Sequence, residues 1–277
     1  MTAPLCRTAR GNEIALMLDW AAAEGWNPGL EDAAAFVAAD PEGFFVAEVA
    51  GEVVAAISVV HHGADHAFLG LYLCRPDHRG RGIGYALWQH ALDHAGDRSV
   101  GLDGVAAQQA NYARSGFIRT GATTRYEGRL TGTPSDLVRP MTAADATAVA
   151  ELDRQANGHA RPAFLTAWTA PQPTRRSWVL EETALHGLVT ARRCRDGVKI
   201  GPVIAPDADA ALVLIRAALA QMPEEPVIID LPEASRDLAD ALSALRFEAT
   251  FATARMWRGP APQAGPTLQA IATMELG

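Results

Sequence analysis

The chain reads as one unit written twice. A strand–proline–helix step occurs at Leu73-Cys74-Arg75-Pro76 and again at Val203-Ile204-Ala205-Pro206. A strand ending in Leu102-Asp103 is answered by one ending in Ile229-Asp230, and a helix then ends before Phe117 or Phe247. In both halves an arginine follows that phenylalanine by eight residues, Arg125 and Arg255. Between the copies lies 128–137 (GRLTGTPSDL), polar and Gly/Pro-bearing as a linker should be. The repeat predicts two tandem modules, residues 1–128 and 137–277, each a mixed α/β unit built on a mixed sheet.

Local patterns supply the elements. Apolar residues at helical spacing mark helices over 12–23, 30–39, 82–95 and 108–115, with strands at 44–49, 53–60, 67–74, 100–103 and 117–126. The second copy predicts helices over 143–155, 208–221 and 234–245 and strands over 177–180, 187–192, 198–204, 226–230 and 247–257, with a final strand within 267–277.

Composition narrows the function class. With 49% hydrophobic residues the chain can bury enough apolar surface to fold. Twenty-four basic against thirty-two acidic residues give a net charge of -8, which argues against binding nucleic acid or an anionic membrane and leans toward cationic partners. Cys6, Cys74 and Cys194 are odd in number and far apart, so neither a disulfide framework nor a metal site is expected and a reducing, cytoplasmic setting is. No apolar run is long enough to span a membrane.

The chemistry concentrates in Arg79-Gly80-Arg81-Gly82-Ile83-Gly84-Tyr85, between a strand and a helix. Glycines there let backbone N–H groups approach an anion, and the helix N-terminus adds partial positive charge. A P-loop would need Lys-Ser/Thr after the last glycine, where Tyr85-Ala86 stands. The dinucleotide fingerprint would need G-x-G-x-x-G after a first strand, whereas Gly80, Gly82 and Gly84 alternate after a third or fourth.

Arg79-x-x-Gly82-x-Gly84, together with Tyr112-Ala113-Arg114-Ser115-Gly116-Phe117, resembles the acyl-CoA signatures of the GNAT superfamily of N-acetyltransferases. Glu24-Gly25-Trp26-Asn27-Pro28, Gly101-Leu102-Asp103-Gly104-Val105, Ile200-Gly201-Pro202 and Arg255-Met256-Trp257 are similar to a subgroup carrying a second, degenerate GNAT-like domain. The resemblance implies an acetyl group moved from acetyl-CoA, as cosubstrate and without a metal, to an amine, most simply that of a small molecule. Gly80 to Tyr85 would hold the pyrophosphate, with Arg79 and Arg81 beside it. Tyr72, Leu73 and Cys74 would pair with the pantetheine arm. Tyr112 would protonate the leaving thiolate.

The chain departs from the family where it uses Val105 in place of an asparagine and carries no acid in Phe68 to Cys74. Asp103, Glu24, His61 and His62 are the candidates for the missing base. Asp103 has a counterpart in Asp230, in a half without the motifs, which favours a structural role for it. Trp20 and Trp26 could wall an acceptor pocket, though core packing accounts for them as well. The second copy has Ala205-Pro206-Asp207-Ala208-Asp209 where the glycine loop stands, so it would repel a phosphate. It would cover the acceptor side, brace the first module or form a homodimer. The alternatives to an enzyme are a non-catalytic acyl-CoA-binding sensor and a structural two-domain scaffold.

Overall fold

The computed structural model describes residues 3–277. The first half runs β1 (Leu5–Thr8), α1 (Gly11–Ala23), α2 (Asp32–Ala39), β2 (Phe44–Val49), β3 (Glu52–His62), β4 (His66–Cys74), α3 (Ile83–His94), β5 (Ser99–Gly104), α4 (Gln109–Arg114) and β6 (Ile118–Gly128). The second runs β7 (Val138–Pro140), α5 (Ala146–Asn157), α6 (Pro162–Thr169), β8 (Arg175–Glu181), β9 (Leu185–Arg193), β10 (Val198–Ile204), α7 (Ala208–Gln221), β11 (Val227–Pro232), α8 (Arg236–Ala244), β12 (Glu248–Arg258) and β13 (Leu268–Ala270). The short strands β1 and β7 and the helix α6 are absent from the sequence expectation. Helix α6 has only eight residues and opens on Pro162, so periodicity has little to act on.

The strand order is β1-β2-β3-β4-β5-β12-β6-β11-β10-β9-β8-β7, with β13 beside β10. It reads alike from either end. Within each half the sheet is antiparallel except for one parallel pair, β4–β5 or β10–β11. The duplication is thus a pseudo-two-fold, and its axis passes through the Thr123–Thr253 pair of β6 and β12. Each half gives away the strand after its last helix: β12 pairs with β5, and β6 with β11. This exchange joins the modules into one sheet. It leaves no local trace, because pairing over more than a hundred residues does not alter the period-2 pattern of either strand.

The exchange explains the repeated Phe-to-Arg spacing. Arg125 on β6 reaches Asp230 of the other module in a two-pronged pair, 2.8 and 2.9 Å. Arg255 on β12 does the same to Asp103, at 2.9 and 2.7 Å.

Helix α3 packs on β2–β5 in one core, and α7 and α8 cover β8–β11 in another. A third core lies between the modules, where α1 and α2 meet α6 and the C-terminal tail. Trp168 is fully buried there, between Phe36 and Phe164. Burying one such side chain contributes about 2–3 kcal/mol. The guanidinium groups of Arg175 and Arg192 lie 5.0 and 4.6 Å from the Trp168 ring, and Asp32 of the first module balances them.

The expected final strand shrinks to β13, which lies antiparallel against β10. Beyond it Ile271 N–H donates to the Asp230 carbonyl (3.0 Å), so the tail fills the fork between β10 and β11. It then crosses to the first module. A Cβ on Gly70 would meet the Glu275 carbonyl oxygen at 2.1 Å, so only glycine lets β4 and the tail come this close.

Candidate active site

Strands β4 and β5 pair only from His66–Leu69 against Ser99–Leu102 and then diverge. Leu71 takes a positive φ of 47°, and the β3–β4 register shifts beside it, a bulge that turns the strand at the fork. On one side Leu73 and Cys74 pair with Ala56 and Ala55 of β3. On the other their edge faces an open groove, about 500 Å³ in volume.

The groove is lined by Tyr72, Leu73, Cys74, Arg79, Gly80, Gly82, Ile83, Gly84 and Tyr85. Arg81 of the same loop is exposed and outside it. Gly82 caps α3 in the left-handed conformation (φ 78°), which aims the first free N–H groups of the helix at the groove. Gly84 has the Tyr72 hydroxyl where a side chain would begin, 2.8 Å from an added Cβ. Such a surface could hold an extended arm along the strand edge and a phosphate at the helix end.

A second cavity, about 280 Å³, adjoins it and shares Glu24, Trp26, Tyr72, Val105 and Gln108 with the groove. Its inner wall holds Leu69, Gly70, Leu71, Leu102, Asp103 and Tyr112. The rest comes from the exchanged strands and the tail: Arg125 and Glu127 of β6, Thr250, Phe251 and Thr253 of β12, and Met274 and Glu275. Sequence spacing does not point to these last residues. Their place depends on the exchange, and the one signal available is that Arg125 and Arg255 repeat whereas Glu127 and Trp257 do not.

Tyr112 is buried, stacked on Trp88 at 5.3 Å and edge-on to Phe117. Burial, reinforced by Tyr72, raises its phenol above the usual range, so it stays protonated and able to donate. Tyr72 is pushed up to about 12, by burial first.

The base candidates separate. Asp103 is engaged by Arg255 through both carboxylate oxygens, with the Thr123 and Thr253 hydroxyls at 3.2 and 3.3 Å. Glu24 pairs with Arg79 at 2.5 Å across the mouth, and Arg79 also donates to the Cys74 carbonyl (2.9 Å). Arg79 therefore ties the loop after α1 to the groove that it helps to line. His61 and His62 lie outside both cavities. His61 stacks on His94 at 4.0 Å and donates to the His94 carbonyl (2.8 Å). His62 donates to the Leu276 carbonyl (2.7 Å). Trp26 walls both cavities, whereas Trp20 packs against the inter-module core.

The loop after α1 is held by the second module and by β6. The Trp26 carbonyl accepts from Lys199, the only lysine, at 2.8 Å and from Arg125 at 3.3 Å. Burial, then the charge of Arg125, lowers the Lys199 ammonium from its ordinary value. Asn27 donates to the Asp196 carbonyl (2.8 Å).

Residues 13–119 match the acetyltransferase (GNAT) family, and residues 149–268 match an acetyltransferase (GNAT) domain. The holothin acyltransferase of Pseudoalteromonas sp. (strain SANK 73390) is 36% identical over 270 residues, 96% of this chain and 92% of that protein. The chain belongs to the GNAT acyltransferase family. A Pyrococcus horikoshii crystal structure superposes over 100% of this chain and 97% of its own, with a TM-score of 0.83 at 20% identity. A tandem GNAT protein from the clavulanic acid biosynthesis pathway covers 93% of this chain and 99% of its own, with a TM-score of 0.63 at 21% identity. At these identities the likeness is one of fold.

The two GNAT modules are unequal. In the second, Asp207 caps α7, accepting from the Ala210 N–H (2.9 Å), where the first has Gly82. Its fork is filled by β13. Leu242 stands where the first module has Tyr112, each five residues before the shared phenylalanine. Arg246 keeps the left-handed turn of Gly116, at φ 64° against 87°.

Proposed function

We propose that the first module transfers an acetyl group from acetyl-CoA to the amine of a small molecule by direct attack. One observation carries this reading: the groove with the glycine loop adjoins the second cavity, and the two share five lining residues. The donor would lie along β4 with its pyrophosphate at the start of α3. The amine would enter the cavity between the exchanged strands. Its nitrogen bonds to the thioester carbonyl carbon, the carbon–sulfur bond breaks, and the thiolate takes the phenolic proton of Tyr112. Holding both reactants in line supplies much of the acceleration. The name of the 36% identical relative, a holothin acyltransferase, supports acyl transfer as the reaction.

The test is a panel of amines with acetyl-CoA, read by release of free thiol. Tyr112→Phe keeps the stacked ring and removes the proton. General acid catalysis contributes about 10²–10⁴-fold, and a thiolate can leave without full protonation, so we expect a loss of about 10² in turnover with acetyl-CoA affinity unchanged. A sensor without turnover would bind acetyl-CoA and release no thiol with any amine. Equal turnover in the variant would remove Tyr112 from the mechanism.

A further inference from the structure

We infer that Glu127 is the residue that binds the acceptor ammonium and takes its proton; this rests on the acetyl-transfer reading above. Four carboxylates line the cavity: Glu24, Asp103, Glu127 and Glu275. Glu24 is engaged by Arg79, and Asp103 by Arg255. Glu275 accepts from the Thr273 hydroxyl and lies near the buried cations Arg125 and Lys199. Glu127 accepts only from the neutral Thr250 hydroxyl, at 3.0 Å, and among the described residues it takes part in no ion pair. It is half-buried. Thr123, Arg125 and Glu127 share one face of β6 by the strand alternation, and Arg125 and Glu127 both line the cavity. Arg125, which also feels the Glu127 charge, is already paired with Asp230. A half-buried carboxylate in no ion pair, lining a cavity that would adjoin the thioester, is complementary to an alkylammonium ion.

The pseudo-two-fold provides an internal control. Adding 130 to a residue number on β6 gives its mate on β12: Glu127 pairs with Glu248, and Trp257 with Ile118. Under this operation Asp–Arg pairing is kept in both halves, as expected of groups that hold the sheet. Glu127 becomes Trp257, and Tyr112 becomes Leu242. The carboxylate is therefore absent from the half without the glycine loop, so the fold does not require it.

The acceptor R–NH3⁺ gives one proton to the Glu127 carboxylate, and its lone pair forms the N–C bond as the C–S bond breaks. Tyr112 gives its proton to the thiolate. The second nitrogen proton, released as the amide forms, restores Tyr112, and Glu127 returns its proton to water.

Glu127→Gln keeps the size and the acceptor of the Thr250 hydrogen bond but removes the charge. Wild type and variant are compared at pH 7 on two amines of similar size. One is a strongly basic alkylamine; the other is a weakly basic aromatic amine already free of its extra proton. We expect turnover with the alkylamine to fall by about 10²–10³ and with the aromatic amine by less than tenfold. The alkylamine deficit should shrink as the pH approaches the amine's own pKa. Acetyl-CoA affinity and the melting temperature should be unchanged. Equal losses on the two amines, or none, would overturn the assignment while leaving acetyl transfer intact. Absence of thiol release by the wild type with every amine would overturn both.

Discussion

Asp103 and Asp230 occupy equivalent places, yet their partners differ in access to water. Arg125 is 6% exposed opposite Asp230, whereas Arg255 is 21% exposed opposite Asp103. Burial alone would raise the Asp230 carboxyl; Arg125 outweighs it and holds it below the usual carboxylate range. Asp230→Asn would leave a guanidinium dry and unpaired, at a cost of about 3–5 kcal/mol. Asp103→Asn lets Arg255 keep part of its hydration, and we expect about 1–3 kcal/mol. Denaturant midpoints of the two variants check the order, and a larger loss for Asp103→Asn would contradict it. His62 gives a pH test. Burial, then Arg161, holds its imidazole down to about 3. Its folded value lies below the ordinary 6.5, so as pH falls below 6.5 the unfolded chain binds a proton that the folded chain refuses. Stability should drop by up to about 1.4 kcal/mol per pH unit between 6.5 and 4.5 relative to His62→Gln, with no difference above 7. Parallel curves for the two proteins would exclude His62 as the source.

At the scale of elements, the loop before α3 is the most local part of the site and the most legible. Gly80, Gly82 and Gly84 declare themselves because a turn with positive φ and a tight approach restrict residue choice. Gly82→Asp tests the loop. An added Cβ there meets nothing within 4 Å, so the fold should survive, with some strain from φ 78°. The carboxylate would stand at the helix end, and calorimetry should show at least a tenfold loss of acetyl-CoA affinity, about 1.4 kcal/mol. Unchanged affinity would remove the loop from the donor site. The acceptor side was legible only in part. Tyr112 carries a motif, but Glu127, Thr250 and Glu275 meet across the exchanged strands and the tail, and no spacing in one half encodes that meeting. The longer strands and helices follow from period; β1, β7 and α6 do not, being too short for one.

At the scale of the molecule, the exchange makes the halves inseparable. The connection 129–137 is itself pinned. Leu130 is buried, the Thr133 N–H donates to the Arg216 carbonyl (3.0 Å), and a Cβ on Gly132 would meet the Ala220 nitrogen at 2.2 Å. A protease site introduced at Thr133–Ser135 and then cleaved should therefore leave one particle on size exclusion, with the acetyl-CoA affinity of the intact chain. Dissociation into halves would mean that β6 and β12 do not hold the modules together.

The same crossing sets a timetable for synthesis. Strand β5 is complete at Gly104, but its neighbour β12 begins at Glu248. At about 5–20 residues per second, the nascent chain carries an open sheet edge for roughly 7–30 s. An exposed edge is a template for pairing with other chains. A ribosome stalled in the second half would therefore hold out a sticky first module that cannot finish itself, and the need for a chaperone should fall at that interval.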